Sequence, residues 1–273
     1  MNAKVVDKMT LINAYWFLFY NDDLLIKEEK EGLTTILTTS DLTTVQLQPT
    51  NAQCIGTLHG MECYVATLDN ESIPAVGFSL KKVRQLYGNM EEECFWFACR
   101  AFHITNWMRT SKFCGCCGST MTVSTDELAM KCVQCGHIVY PRISPAIIVA
   151  VIKDNQILLA RSNRFPPNRY SVIAGFVEPG ESLEDCVQRE LKEEVGVEVH
   201  SISYFGNQPW PFPDSLMIAF TAQCSTEEIT IDNQEIVDAG WFSAHNLPDI
   251  PDKLSVARKL IDWFVENHQH NPA

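Results

Sequence analysis

The sequence predicts an α+β protein with an N-terminal α/β domain over residues 1–110, a cysteine-rich ribbon over 111–140 and a C-terminal domain over 141–273. Three observations carry this. Strand-like runs and one long helical run share the first 110 residues. Two C-x-x-C pairs lie between Cys114 and Cys135. A hairpin pattern opens the rest, followed by a helix dense in carboxylates. A chain of 273 residues can hold two or three domains with a sizeable core. Its 46% apolar and 20% charged content fits a globular protein. The net charge of −13 argues against non-specific binding to nucleic acid or anionic membrane, though it permits a local basic patch. An anionic substrate would need a metal or a few placed cations.

Taken in order, "AYWFLFY", "TTILTT" and "ECYVATL" are rich in aromatic and β-branched residues and predict strands. "EEECFWFACRAFHITNWMR" predicts a helix with Phe95, Cys99, Phe102 and Trp107 along one face. This first region shows no catalytic constellation, so a structural or dimer-forming role is expected. The apolar run Ala14–Tyr20 is too short to span a bilayer, lacks a cleavage site and ends in the turn Asn21-Asp22-Asp23. A cytoplasmic protein is expected, in which paired cysteines indicate metal rather than disulfides. Beyond Pro141, "AIIVAVI" and "ILLAR" flank a turn at Lys153–Gln156 and predict a hairpin. "YSVIAGF", "SISYFG", "SLMIAFTAQC" and "GWF" predict further strands, and a last helix is expected near Val256 to Asn267. No internal repeat is visible.

The ribbon has Cys114-x2-Cys117, fourteen residues, then Cys132-x2-Cys135. A C-x-x-C turn aims two thiolates at one point, and the glycine after each pair, Gly118 and Gly136, lets the backbone turn beneath the sulfurs. Together they form a closed four-cysteine set for one structural Zn2+ per chain, with Cys116 left out. Redox-active thiols and plain buried cysteines are the alternatives. A zinc ribbon can also bind nucleic acid.

The segment Gly175–Val197 holds seven carboxylates against two cations. Ser182 is placed to cap its helix, with Asp185 completing a capping-box-like pair. At about 100° per residue, Leu183, Cys186, Val187 and Leu191 share one face with Glu190, Glu193 and Glu194. Asp185, Gln188, Arg189 and Lys192 are expected to point the other way. Inward carboxylates repel one another and resist desolvation, so they require a cation. Hard Mg2+ or Mn2+ suits oxygen ligands and bridges to phosphates.

Gly175-x5-Glu181-x7-Arg189-Glu190-Leu191-x-Glu193-Glu194-x-Gly196-Val197 matches the nine fixed positions of the Nudix box. The chain therefore resembles the Nudix hydrolases. The resemblance implies a Nudix fold, a mixed β-sheet between α-helices, and metal-dependent hydrolysis of a nucleoside diphosphate derivative. "NQPWPFPDS", read as a stiff proline-aromatic loop, resembles the signature of the NADH pyrophosphatase group, with Asn207 in place of its usual serine. That group has a zinc ribbon before the Nudix domain and removes NAD caps from RNA. The resemblance thus implies action on NADH, NAD+ and NAD-capped RNA by a homodimer without membrane attachment. ADP-ribose or diadenosine polyphosphates are alternative substrates. A catalytically inert, RNA-binding module is the reading from another class, and the intact box argues against it.

The resemblance also implies residue roles. Glu190, Glu193, Glu194 and Glu235 would hold the catalytic metal, with Glu194 activating water. Phe176 and Tyr140 would clamp adenine. Gln208, Trp210, Ser215 and Ala257 would contact substrate, Trp210 across a dimer. Arg189 is expected to pair with Glu181 and fix the loop.

Overall fold

The structure is a computed structural model that describes residues 13–50, 52–69, 76–225 and 228–268. The outer limits of the two flanking domains, 1–12 and 269–273, lie outside the described residues. The chain forms two compact units, Met1–Arg142 with Pro211–Pro213, and Ile143–Trp210 with Asp214–Ala273.

The first unit begins with β1 (Ala14–Tyr20), β2 (Asp23–Glu28), β3 (Thr34–Thr35), β4 (Leu37–Thr38) and the short helix α1 (Thr39–Thr44). It continues with β5 (Gln53–Leu58), β6 (Met61–Thr67), β7 (Phe78–Lys82) and the long helix α2 (Glu92–Thr110). β1 is central. It pairs antiparallel with β2 and β4 on one side and parallel with β6 on the other. β5 pairs with β6, and β7 with β2, both antiparallel. Successive strand residues face opposite ways. Trp16 and Leu18 join one core cluster with Leu25, Leu37 and Tyr64. Phe17 and Phe19 turn to α2, with ring centroids 5.5 Å from Phe97 and 5.9 Å from Phe102. The expected apolar face of α2 holds: Phe95, Cys99, Phe102 and Trp107 are all buried.

The ribbon follows in the same unit as β8 (Met121–Val123), β9 (Met130–Cys132) and β10 (Ile138–Val139), a small antiparallel sheet.

The second unit contains β11 (Ser144–Lys153), β12 (Gln156–Ser162), β13 (Ile173–Phe176), helix α3 (Leu183–Val195), β14 (Val199–Trp210), β15 (Ser215–Cys224), β16 (Ile236–Ser243) and helix α4 (Val256–His268). β11 pairs antiparallel with β12 and β13, and parallel with β15 over nine residues. β14 forms one edge and β16 the other. Alternation along β11 explains why it reads as an unbroken apolar run. Ile147, Val149 and Val151 pack under α3, on Cys186, Val187, Leu191 and Val195. Ile148, Ala150 and Ile152 pack under α4, on Leu260, Ile261 and Phe264. The mixed sheet thus lies between two helices. Truncating a side chain as enclosed as Leu191 to alanine costs about 2–5 kcal/mol.

Two expectations need correction. The proline-aromatic segment is mostly strand: Asn207–Trp210 pair with β15, and only Pro211–Asp214 form the connection. Pro209 is tolerated because β14 is an edge strand, where a missing N–H need not break a ladder. The chain also does contain a structural repeat. Both units follow one pattern: a hairpin, a strand returning antiparallel to the first, a helix, a second hairpin whose last strand runs parallel to the first, a strand beside the second, and a closing helix.

Candidate active site

The loop from Val177 to Ser182 hands β13 to α3, and its own side chains fold it. Ser182 Oγ accepts the Asp185 amide at 3.1 Å and donates to the Asp185 carboxylate at 2.6 Å, so the helix is capped as expected. Glu181 accepts the Glu178 amide at 3.0 Å. It is gripped on both oxygens by Arg189, at 2.7 and 3.0 Å. Arg189 holds the Glu181 carboxyl down at about 2. The same guanidinium donates to the Phe176 carbonyl at 2.9 Å, Glu190 at 2.9 Å and Glu193 at 3.1 Å. Arg189 therefore pairs with Glu181 as expected but does not point away from the glutamates. It is four residues before Glu193, one turn along the same side of the helix.

The three box glutamates are not equivalent. Successive helical residues differ by about 100°, so Glu193 and Glu194 cannot share a direction. The Glu190 side chain is 12% exposed, whereas that of Glu193 is 61% exposed and faces out, a second departure from the expected inward set. Glu190 lies hard against β13. A Cβ added to Gly175 would come 1.9 Å from Glu190 Cδ, so any other residue there would displace the carboxylate. Glu194 is half-buried. Burial first, then Glu190, Glu235, Asp232 and Glu193, push its carboxyl up to about 8. Burial also raises Glu190, against the pull of Arg189.

These groups line a cleft of about 630 Å3. Ala146, Ser215 and Met217 come from β11 and β15, Phe176 from β13, and Asp232, Gln234 and Glu235 from the stretch before β16. Its walls carry the carboxylates of Glu178, Glu190, Glu193, Glu194, Asp232 and Glu235 against the guanidinium groups of Arg164 and Arg189. Arg189 is already committed to three glutamates. A phosphate group could enter only with further positive charge. The donor set, all carboxylate oxygen, fits Mg2+ or Mn2+. The carboxylates do not yet converge: among the described residues, three ligand atoms come within 4.8 Å of one another only at the ribbon cysteines and at His59, Glu91 and Cys94.

Of the expected site residues, the cleft unites Phe176, Glu190, Glu193, Glu194, Ser215 and Glu235. Phe176 is 57% exposed there. Gln208 and Ala257 do not line it. Gln208 is buried, donates to the Leu254 carbonyl at 2.8 Å and accepts the Val256 amide at 2.6 Å, which anchors the start of α4. Ala257 packs in the α4 core. Trp210 is half-buried at the end of β14, opposite Ser215. Tyr140 belongs to the first unit, is 55% exposed and donates to Glu127 at 3.1 Å. Sequence reasoning missed Asp232. Its carboxylate accepts the amides of Glu235 and Ile236 at 3.0 Å each, and so shapes the turn that presents Glu235. The D-x-x-E spacing before a strand was the available signal. Arg164 and Glu178 were also missed, and no local pattern marks either.

In the ribbon, the Sγ atoms of Cys117 and Cys132, and of Cys117 and Cys135, are 3.5 Å apart, and those of Cys114 and Cys135 are 3.6 Å apart. A tetrahedral Zn–S bond of about 2.3 Å implies sulfur separations of about 3.8 Å, so the set fits zinc with little movement. Gly118 and Gly136 have φ of 75° and 74°, and their amides bond back to the carbonyls of Cys114 and Cys132. The Cys116 amide donates to Cys114 Sγ at 3.4 Å while its own thiol stays outside the set.

The sequence matches the NUDIX domain over residues 142–264 and the NADH pyrophosphatase zinc ribbon domain over 109–140. Residues 13–107 match the NADH pyrophosphatase-like rudimentary NUDIX domain, which accounts for the repeated strand pattern. A protein of Pseudomonas aeruginosa named NAD-capped RNA hydrolase NudC is 46% identical over 213 residues, covering 77% of this chain and 76% of the relative. One of the same name from Stutzerimonas stutzeri is 41% identical over 230 residues, covering 84% and 82%. Among solved structures, a NUDIX hydrolase from Nitrosomonas europaea shares the fold, with a TM-score of 0.51 at 23% identity over 59% of this chain and 95% of its own. No helix among the described residues is long and apolar enough to cross a membrane. With its box, its ribbon and relatives matched over most of their length, the chain belongs to the NudC family of Nudix hydrolases.

Proposed function

We propose that this chain hydrolyses the diphosphate of NADH and NAD+ to AMP and nicotinamide mononucleotide, and removes NAD caps from RNA to leave a 5′-monophosphate end. The observation that carries the chemistry is the cleft, where the half-buried Glu194 carboxyl, raised to about 8, faces carboxylates that outnumber the two guanidinium groups. Relatives named NAD-capped RNA hydrolase support the substrate.

Glu190, Glu193, Glu194 and Glu235 are the groups that would hold Mg2+ or Mn2+. When bound, such an ion neutralises the diphosphate and lowers the pKa of water. Glu194, ionised once its negative neighbours are compensated, accepts the proton of the attacking water. Arg189 keeps Glu190 and the box loop in place, and Gly175 leaves the space Glu190 occupies. Arg164 supplies the other guanidinium for a phosphate oxygen. Phe176 offers an exposed ring on which adenine stacks, and Tyr140 is the proposed second ring. Ser215, Trp210, Gln208 and Ala257 are proposed to shape the substrate pocket, the last two by positioning α4.

The ribbon, over about residues 111–140, holds zinc in a structural role between an N-terminal domain over 1–110 and a Nudix domain over 141–273. We further propose a homodimer, tested by light scattering of the eluted protein, and a cytoplasmic location. Eleven free cysteines support the latter.

The deciding experiment compares kcat/KM for NADH, NAD+, NAD-capped RNA and ADP-ribose with Mg2+ or Mn2+. NADH and capped RNA should lead. A preference for ADP-ribose would overturn the substrate assignment and leave the metal chemistry intact.

A further inference from the structure

We propose that the first unit carries a second zinc-class metal site, formed by His59, Glu91 and Cys94. His59 occupies the two-residue turn between β5 and β6, with Gly60 beside it. Glu91 immediately precedes α2, and Cys94 lies in its first turn. One ligand atom from each of the three falls within 4.8 Å of the others. His59 Nε2 is 3.5 Å from Glu91 Oε1, and Glu91 Oε2 is 3.6 Å from Cys94 Sγ. The ribbon cysteines, a set built for zinc, stand 3.5–3.6 Å apart. Metal bonds of about 2.0–2.3 Å in a tetrahedral site give ligand separations of about 3.3–3.8 Å. The ribbon distances and the two distances to Glu91, one to each of its oxygens, fall in that range.

The chemistry selects the ion. An imidazole nitrogen, a carboxylate oxygen and a thiol together suit Zn2+ and its borderline relatives, not Mg2+. Glu93 Oε2 lies 2.9 Å from the same His59 nitrogen but falls outside the three-atom set, so it pairs with the ring and is not counted as a ligand. The ring is braced by Tyr15, edge-on at 6.4 Å. Access is open, since the His59 and Glu91 side chains are 35% and 63% exposed, while Cys94 is buried and forms the floor. A plain ion pair of His59 with Glu91 and Glu93 would explain the two carboxylates. The buried Cys94 thiol, which donates to the same Glu91 carboxylate, adds a third ligand type that the ion pair does not use. All three ligand residues belong to the first unit, and none belongs to the hydrolytic cleft.

The test is metal content of the full-length protein after equilibration with excess Zn2+ and desalting. Two zinc ions per chain are expected, one from the ribbon and one from this site. His59→Asn should bind one, and Cys94→Ser should bind one. Asparagine is chosen because His59 has φ of 49°, which Asn tolerates. With Co2+ in place of Zn2+, Cys94→Ser should lose part of the thiolate-to-cobalt absorption and keep the ribbon's share. Because Cys94 is buried, Glu91→Gln at an exposed position serves if that variant fails to fold. One ion per chain in the wild type, or two retained in His59→Asn, would sink the proposal.

Discussion

The two units share a strand pattern, and the comparison isolates what makes one of them a candidate enzyme. In both, a short strand returns antiparallel to the central strand and leads into a helix. In the first unit that helix is α1, six residues long, with Asp41 as its one carboxylate. In the second it is α3, thirteen residues long, with Glu190, Glu193 and Glu194. Each helix directs a carboxylate inward, with opposite results. Burial tends to raise Asp41, but the amide and hydroxyl of Thr38 and the Lys27 ammonium outweigh it and hold the group below its usual range. Lys27 lies 3.2 Å away. Glu194 has no such compensation, and its neighbours are carboxylates. A paired buried acid supports a fold. An uncompensated one, kept beside others of its sign, marks a place for a cation.

The contrast is tested first by removing each acid. Glu194→Gln should cut turnover by at least ~10²-fold, the scale for losing a group that moves a proton. The variant should fold, because repulsion is relieved. Asp41→Asn should leave kcat within a small factor but lower stability by ~1–3 kcal/mol, as when a charged hydrogen-bond partner is lost. Near-normal hydrolysis by Glu194→Gln, or a large kcat loss in folded Asp41→Asn, would erase the distinction.

The strands that precede the two helices differ in the same sense. The first unit places the buried Leu37 in β4, filling its own core. The second has Gly175 in β13, leaving room for Glu190. Gly175→Ala should therefore displace Glu190 and cost about 10²-fold in kcat, the penalty for a displacement of about 1 Å at a reacting centre. Thermal stability should change less than in Leu37→Ala, where about 2–5 kcal/mol of packing is removed. Unchanged kcat in Gly175→Ala would show that Glu190 need not sit where it does.

These features differ in how readily the chain discloses them. The box and the ribbon are local: their ligands fall within 23 and 22 residues, so spacing alone exposes them. The apolar face of α2 is legible for the same reason. The repeat is not, because it resides in long-range pairings such as Tyr15 with Cys63 and Ile147 with Ile218. The first copy also lacks the glutamates that identify the second. Gln208 reads as a substrate contact, and local spacing does not disclose its bonds to the Leu254 carbonyl and the Val256 amide, 46 and 48 residues away. Arg189 misled because wheel geometry describes where a side chain starts, whereas a guanidinium reaches across a turn.

Phe176 should act through recognition. Its ring is exposed at the cleft, unlike the buried aromatics Phe17 and Phe19 of the first unit. Stacking on a base is worth ~1–3 kcal/mol. Phe176→Ala should thus lower kcat/KM by roughly 5- to 150-fold, mainly through KM, on every adenine-containing substrate. Phe17→Ala should instead lower Tm and leave KM unchanged in the folded fraction. A fall in Tm with normal KM for Phe176→Ala would assign that ring to packing.

The smallest effect is a pH dependence of stability in metal-free protein. Unfolding returns Glu194 to its ordinary value of 4.5, while the folded group sits at about 8. Between those values the folded state holds a proton that the unfolded state has released. Stability then falls as pH rises through that window, and levels off above it. Glu190, also raised, acts in the same direction. Glu181, held at about 2, contributes stability that is lost only as pH falls below 4.5, so it does not mask the slope. Asp41, lowered rather than raised, likewise acts on the acid side. The metal-free protein should therefore melt a few degrees lower at pH 8 than at pH 5.5. Mg2+ should raise Tm more at pH 8 than at pH 5.5, because the proton competes less for Glu194 there. Glu194→Gln should flatten the slope and Asp41→Asn should not. A slope that survives undiminished in Glu194→Gln would place its origin in other groups and break the contrast between the two inward acids.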